Sequence, residues 1–252
     1  MPRFAANLDF LFKEVPFLDR FQAAAQAGFK AVEVLFPYDH AASEITGRLR
    51  VNELQMVLIN TPPPNWTGGA RGFAAMPGGQ ERFRHDFTRA LRFAKVLGAQ
   101  HLHIMAGRAR GLVAHTTFVE NLKWATAQAP RQSLTIEPIN NVDMEGYFLN
   151  DFALAAKVIT EVAAPNLGLQ YDAYHAQMIT GDAEKVWAEH GHLVRHVQVG
   201  GYPGRHEPVS GEIDYPRFFR ALDMNGYAGW VSGEYHPAGN TFDGLGWIRG
   251  DG

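Results

Sequence analysis

Three times along the chain, an amphipathic stretch ends at a glycine and a short β-rich run follows. PFLDRFQAAAQAGFKAVEVLF shows the pattern first. Pro16 suits the first turn of a helix, and Phe17, Leu18, Phe21, Ala24 and Ala25 fall on one apolar face. Gly28 then supplies a left-handed stop, and residues 31–36 read as a strand. RFRHDFTRALRFAKVLGAQHLHIM repeats the pattern around Gly98, and YPRFFRALDMNGYAGWVSGEY repeats it around Gly226. Strand candidates fall at 4–8, 31–36, 54–60, 101–106, 134–139, 167–172, 194–199 and 229–235, with helical patterns in most of the gaps. Strands alternating with helices imply parallel pairing through right-handed crossovers. Eight such units without a Gly-rich dinucleotide turn after the first strand favour a closed (β/α)8 TIM barrel over a doubly wound open sheet.

Length and composition agree with one α/β barrel domain spanning residues 1–252, since barrels of this size fold as one unit. The balance of 23 Lys+Arg against 26 Asp+Glu gives a net charge of −3 and no basic footprint for nucleic acid or an anionic membrane surface. Cysteine is absent, which removes disulfide and thiolate chemistry. MPRFAANLDF lacks the apolar run of a signal peptide, so a cytoplasmic protein is expected. The Pro/Gly-rich stretch 61–79 follows the third strand and has the length of a binding loop or lid.

Chemistry in a barrel sits where strands reach their C-terminal ends. There the second half of this chain places four polar side chains. LTIEPIN ends the fifth strand with Glu137, LGLQYDAYH the sixth with Asp172, VRHVQVG the seventh with Gln198, and GWVSGEYH the eighth with Glu234. Two residues earlier, on the same strand faces, stand Thr135, Gln170, His196 and Ser232, all capable of hydrogen bonding. Three carboxylates and an amide oxygen on one axis repel one another unless a cation joins them. An all-oxygen set suits a hard ion, Mg²⁺ or Mn²⁺. Each residue alone has a plainer reading: Asp172 as a helix cap or salt-bridge partner, Gln198 as a satisfied core amide, Glu137 as the partner of one buried arginine. Their recurrence at four successive strands favours the metal.

Around this set, Arg205 in the loop GGYPGRHEPVSGEIDY offers a planar fork for a substrate carboxylate, or else pairs with Glu207 or Glu212. Arg71 in the long loop is a second candidate clamp, or a solvated charge. His175 is either a partner of Asp172 or a substrate contact. Asn7, Asn60 and Glu33 end the first three strands and are candidates for the pocket lining, with Asn7 and Asn60 as substrate-binding residues. Trp66, Phe73 and Trp247 can wall off a small substrate or simply pack the core. His101 and His103 share a strand face, but nothing in the sequence ties them to the metal set.

At these residues the chain resembles the xylose-isomerase-like barrel superfamily, and more closely the hydroxypyruvate isomerase family. FAANLDFLFKEVPFLDRFQAAAQAGFKAVEVLFPYD, INTPPPNW and VQVGGYPGRHEPVSGEIDY carry the resemblance. The last is the most specific, because sugar epimerases of the superfamily do not usually carry the PGRHEP loop. The resemblance implies that Glu137, Asp172, Gln198 and Glu234 are metal ligands, with Glu137 and Glu234 as the acid/base pair. Related ketose 3-epimerases typically place His where this chain has Gln198. The implied reaction converts hydroxypyruvate to tartronate semialdehyde by proton transfer through an enediolate. The substrate class is therefore a small carboxylate-bearing hydroxy-keto compound. Related readings are a 2-oxo-tetronate isomerase, a ketose 3-epimerase, a multi-zinc DNA-repair nuclease on the same barrel, and a non-catalytic barrel that binds small acids. Barrels of this kind often self-associate, so a homo-oligomer fits the resemblance.

Overall fold

The computed structural model describes residues 2–62, 71–209 and 211–249. Its strands are β1 (Arg3–Asn7), β2 (Ala31–Glu33), β3 (Gln55–Met56), β4 (Leu58–Asn60), β5 (His101–His103), β6 (Ser133–Ile136), β7 (Leu167–Asp172), β8 (Val194–Val199) and β9 (Trp230–Gly233). All pair in parallel, in the order β3-β2-β1-β9-β8-β7-β6-β5-β4. The two ends of that order, β3 and β4, are halves of one run broken at Val57. Val57 N–H donates to Val32 O at 2.8 Å, while its carbonyl accepts from His101 N–H at 2.8 Å. With Val34 N–H to Leu58 O at 3.1 Å and Asn60 N–H to Leu35 O at 2.9 Å beside it, this residue joins the first strands to the later ones, and the sheet closes on itself as a TIM barrel. Eight strand candidates become nine segments because the third is split at this seam.

Helices α1 (Arg20–Gln26), α2 (Ala42–Val51), α3 (Gln80–Leu97), α4 (Gly111–Gln128), α5 (Phe152–Val162), α6 (Ala173–Thr180), α7 (Ala183–His190) and α8 (Tyr215–Met224) fill most of the intervals between strands. Their apolar faces pack on the barrel: α3 buries Phe83, Phe87, Ala90, Leu91, Ala94 and Leu97, the i, i+4 and i+3 spacing of one stripe. The glycine stops lie where the sequence places them, with Gly28 at φ 100° and Gly98 at φ 65°.

Several strands are shorter than their sequence signal. β6 ends at Ile136 and β9 at Gly233, so Glu137 and Glu234 lie one residue past the ladder. Pro138 has no N–H with which to continue β6. Asp172 and Gln198 remain inside their strands. Among the described residues no helix is long and apolar enough to cross a membrane.

Candidate active site

Glu137, Asp172, Gln198 and Glu234 are all buried, and they meet at the C-terminal mouth of the barrel. A cavity of about 490 Å³ opens there, with Glu137, Glu234, His175, Arg205, Asn60 and Arg71 in its wall.

Beneath the mouth runs a continuous hydrogen-bonded layer. Thr135 Oγ1 donates to Gln170 Oε1 at 3.0 Å, and Gln170 Nε2 donates to Glu137 Oε2 at 3.0 Å and Gln198 Oε1 at 2.8 Å. Gln198 Nε2 in turn reaches Glu33 Oε1 at 2.8 Å and Glu234 Oε2. His196 Nε2 lies 2.6 Å from Glu33 Oε2. Of the second-layer residues named from the sequence, Gln170 therefore supports Glu137 directly, Thr135 does so through Gln170, and His196 is linked to Glu234 through Glu33 and Gln198. Ser232 Oγ is buried without a hydrogen-bond partner among the described residues.

Asp172 has two tasks at once. Its Oδ1 caps α6 by accepting from Tyr174 N–H at 2.8 Å, and its Oδ2 accepts from Arg205 Nη2 at 2.8 Å. The cap and salt-bridge readings are thus both true of the residue, and Oδ2 still faces the cluster. Arg205 also donates to Glu234 Oε1 at 2.7 Å and lies between the rings of Phe10 and Tyr174, at 5.1 and 4.8 Å. It pairs with neither Glu207 nor Glu212; Glu207 accepts from Ala238 N–H and Glu212 from Gln177 Nε2. Gly200 makes this packing possible, since a Cβ there would lie 2.9 Å from the Glu234 carbonyl and 3.2 Å from the Arg205 stem. Arg205 itself adopts φ 54°, an unusual conformation for a side-chain-bearing residue that its ion pairs help to hold.

The electrostatics are those of a crowded anionic pocket. Burial pushes Glu137 well above the usual carboxylate range, and repulsion from Glu234 and Asp172 adds to the shift. Glu234 is pushed up by burial too, against the pull of Arg205. For Glu33, burial is outweighed by the His196 imidazole and the amides of Gln198 and Asn7, which hold its carboxyl low. Burial lowers His103 to about 3 and His175 to about 4.

Glu137, Asp172 and His175 each turn a donor atom to one point, all within 4.8 Å of one another. With Glu234 tied to the same arginine as Asp172, more carboxylates gather here than Arg205 can neutralise. That donor chemistry fits a divalent cation.

The remaining candidates divide. Arg71, Asn60 and His175 line the cavity, whereas Asn7 has no exposed surface and gives its amide to Glu33 at 2.8 Å and Glu234 at 2.9 Å. Trp247 is buried against Phe4 and Tyr235, away from the cavity, and Phe73 is not in its lining either. Trp66 lies outside the described residues. His103, unconnected in the sequence, places Nδ1 3.1 Å from Asn60 Oδ1 and 3.6 Å from Glu137 Oε2. Its spacing two residues after His101 marks the inward face, but only barrel closure brings it beside Glu137. Asp143 also lines the cavity, and Asn140 contacts His175 at 2.7 Å. The NNVD run carries the signal of a side-chain-capped turn, without any sign of what that turn faces.

The chain is similar to known proteins along nearly its whole length. Residues 21–250 match the family model described as xylose isomerase-like TIM barrel. The chain is 46% identical to a 2-oxo-tetronate isomerase of Cupriavidus necator, over 99% of this chain and 98% of that one. It is 39% identical to a hydroxypyruvate isomerase of Escherichia coli, over 98% of both. A crystal structure of a Brucella melitensis protein named AP endonuclease, family 2, superposes with a TM-score of 0.96 at 43% identity, covering 99% of each chain. By model match and by full-length identity, the chain belongs to the xylose isomerase-like TIM barrel family, among relatives named as isomerases.

Proposed function

We propose that this protein is a cytoplasmic isomerase of small hydroxy-keto acids, interconverting hydroxypyruvate and tartronate semialdehyde. The observation that carries this reading is the pair Glu137 and Glu234, two buried carboxylates in the wall of one cavity, both pushed toward protonation by burial. A carboxyl whose pKa is raised toward the working pH can take a proton from carbon in one step and give one back in the next. One glutamate removes a proton from C3 and a proton is delivered to C2, while the hydroxyl proton passes from the C3 oxygen to the C2 oxygen. Atoms balance without any redox partner.

Glu137, Asp172, Gln198 and Glu234 are the proposed holders of the cation, Mg²⁺ or Mn²⁺. When bound, such an ion supplies Lewis-acid polarisation of the substrate oxygens and charge stabilisation of the enediolate. Arg205 orients Asp172 and Glu234 through its two ion pairs. With Arg205 engaged in this way, Arg71 on the cavity wall is the better candidate for the substrate carboxylate. Asn60 and His175 face the same space and serve as further polar contacts. Asn7 acts from below by fixing Glu234.

A second reading is 2-oxo-tetronate isomerisation, the same chemistry on a substrate one carbon longer, favoured by the identity to the Cupriavidus necator protein. Steady-state kinetics on hydroxypyruvate, 2-oxo-tetronates and free ketoses separate the readings. A kcat/KM highest on hydroxypyruvate supports the first; turnover of none of these compounds refutes both. The Brucella relative's name raises a DNA reading, which retention of an abasic duplex at low salt would support and its free elution would oppose.

A further inference from the structure

Asn140 is buried, and its amide has only one workable orientation. Its Oδ1 accepts two backbone hydrogen bonds, from Val142 N–H at 3.0 Å and Asp143 N–H at 2.9 Å. An amide nitrogen in that place would face two donors, so Nδ2 is turned the other way. From there it reaches Asp143 Oδ2 at 3.0 Å and His175 Nδ1 at 2.7 Å. An amide N–H can only donate, so His175 Nδ1 must present its lone pair. The ring's proton therefore sits on Nε2. That nitrogen lies 3.6 Å from Asp172 Oδ2 and 3.9 Å from Glu137 Oε1, in the wall of the cavity.

We propose that Asn140 is a positioning residue that locks His175 as the Nε2–H tautomer, so that His175 offers a hydrogen-bond donor to ligand oxygens and is withheld from the metal. Proximity alone groups His175 with Glu137 and Asp172 as a possible ligand. Coordination, however, needs the Nε2 lone pair. Moving the proton to Nδ1 would set two N–H groups 2.7 Å apart, or force the Asn140 amide to flip and abandon both backbone donors. The lock keeps the donor set all-oxygen, the kind that suits Mg²⁺ or Mn²⁺, and denies zinc an imidazole ligand. Asp143 completes it by serving Asn140 twice, with its backbone N–H and its carboxylate. The claim about metal choice rests on the cation reading above; the claim about the tautomer does not.

The test is nitrogen-15 NMR of the labelled full-length protein, with the imidazole of His175 assigned by its disappearance in His175→Gln. The wild-type ring is expected to show a protonated Nε2 and an unprotonated Nδ1, with neither resonance moving to a coordinated position when Mg²⁺ is added. In Asn140→Asp a carboxylate accepts from Nδ1–H, so the pattern should invert, and calorimetry should show Zn²⁺ binding strengthened by roughly tenfold or more. Should that variant not fold, Asn140→Ala is expected to give a mixture of both tautomers. A wild-type ring protonated on Nδ1, or an Nε2 resonance that moves to a metal-bound position with Mg²⁺, overturns the proposal. If Mg²⁺ binds nowhere, the cation reading fails, while the wild-type spectrum still decides the tautomer.

Discussion

Glu33 and Glu234 are yoked by the same two amides. Asn7 Nδ2 lies 2.8 Å from Glu33 Oε1 and 2.9 Å from Glu234 Oε2, and Gln198 Nε2 bridges the same two oxygens. Each amide hands one hydrogen to the lower carboxylate and one to the upper. A residue from β2 thereby sets the orientation of a residue just beyond β9, with β1 between them. Glu33→Gln replaces one acceptor by a donor and sets N–H against N–H. The expected outcome is a roughly 10- to 100-fold fall in kcat/KM and about 1–3 kcal/mol less stability. Kinetics and urea titration check it; unchanged kinetics would remove Glu33 from the catalytic support.

Glu137→Gln and Glu234→Gln should each lower turnover roughly 10²- to 10⁴-fold while leaving far-ultraviolet dichroism unchanged. In the proposed reaction the pair exchanges protons with carbon, which an amide cannot do. Full activity in both variants sinks the mechanism.

In chelator-treated protein, Glu137→Gln should also be stabilising, and increasingly so as pH rises. Burial and like charge raise the folded-state pKa of Glu137, so the folded protein holds this proton more tightly than the unfolded chain does. Stability is therefore lost as pH climbs through the raised value, a loss that a neutral amide escapes. Melting curves between about pH 5 and pH 8 should show the variant gaining on wild type, by an amount of order 1–2 kcal/mol at the upper end. Mg²⁺ should reverse the ranking by stabilising only the wild type, on the order of 2.7 kcal/mol at a hundredfold excess over its dissociation constant.

Arg205→Lys keeps the charge but loses the geometry. One guanidinium nitrogen serves both Asp172 and Glu234 while the plane lies between Phe10 and Tyr174. A lysine ammonium lacks both the fork and the stacking plane. A loss of roughly 100-fold in kcat/KM is expected. Steady-state kinetics measure it, and a variant within about twofold of wild type would make the arginine a mere counter-charge.

Acid sensitivity should also have a histidine component. Burial lowers His101 from 6.5 to about 3, so the folded protein keeps this ring neutral where the unfolded chain protonates it. No stability is lost above about pH 6.5. Below that, the unfolded state takes up a proton the folded state refuses, costing up to about 1.4 kcal/mol per pH unit until the folded pKa is reached. His101→Asn should flatten the stability curve between pH 6 and pH 4 by about one proton. Urea midpoints across that range provide the check, and an unaltered slope would count against it.

The sequence by itself determined the alternation of helix and strand, the glycine stops, and the spacing that sends Glu137, Asp172, Gln198 and Glu234 to the same end of successive strands. These are local properties, because side-chain period and helix termination depend on neighbours a few residues away. Only the tertiary structure decided what those residues touch. Arg205 could have paired with Glu207 or Glu212 on spacing alone, and closure of the barrel gave it Asp172 and Glu234 instead. Likewise His103 met Glu137, Glu33 met His196, and Asn140 met His175, across 34, 163 and 35 positions of chain. Such contacts cannot be read from a linear pattern. They exist because the sheet closes on itself at the seam around Val57, and the closed barrel turns inward side chains from distant strands toward one another, where buried polar groups must find partners.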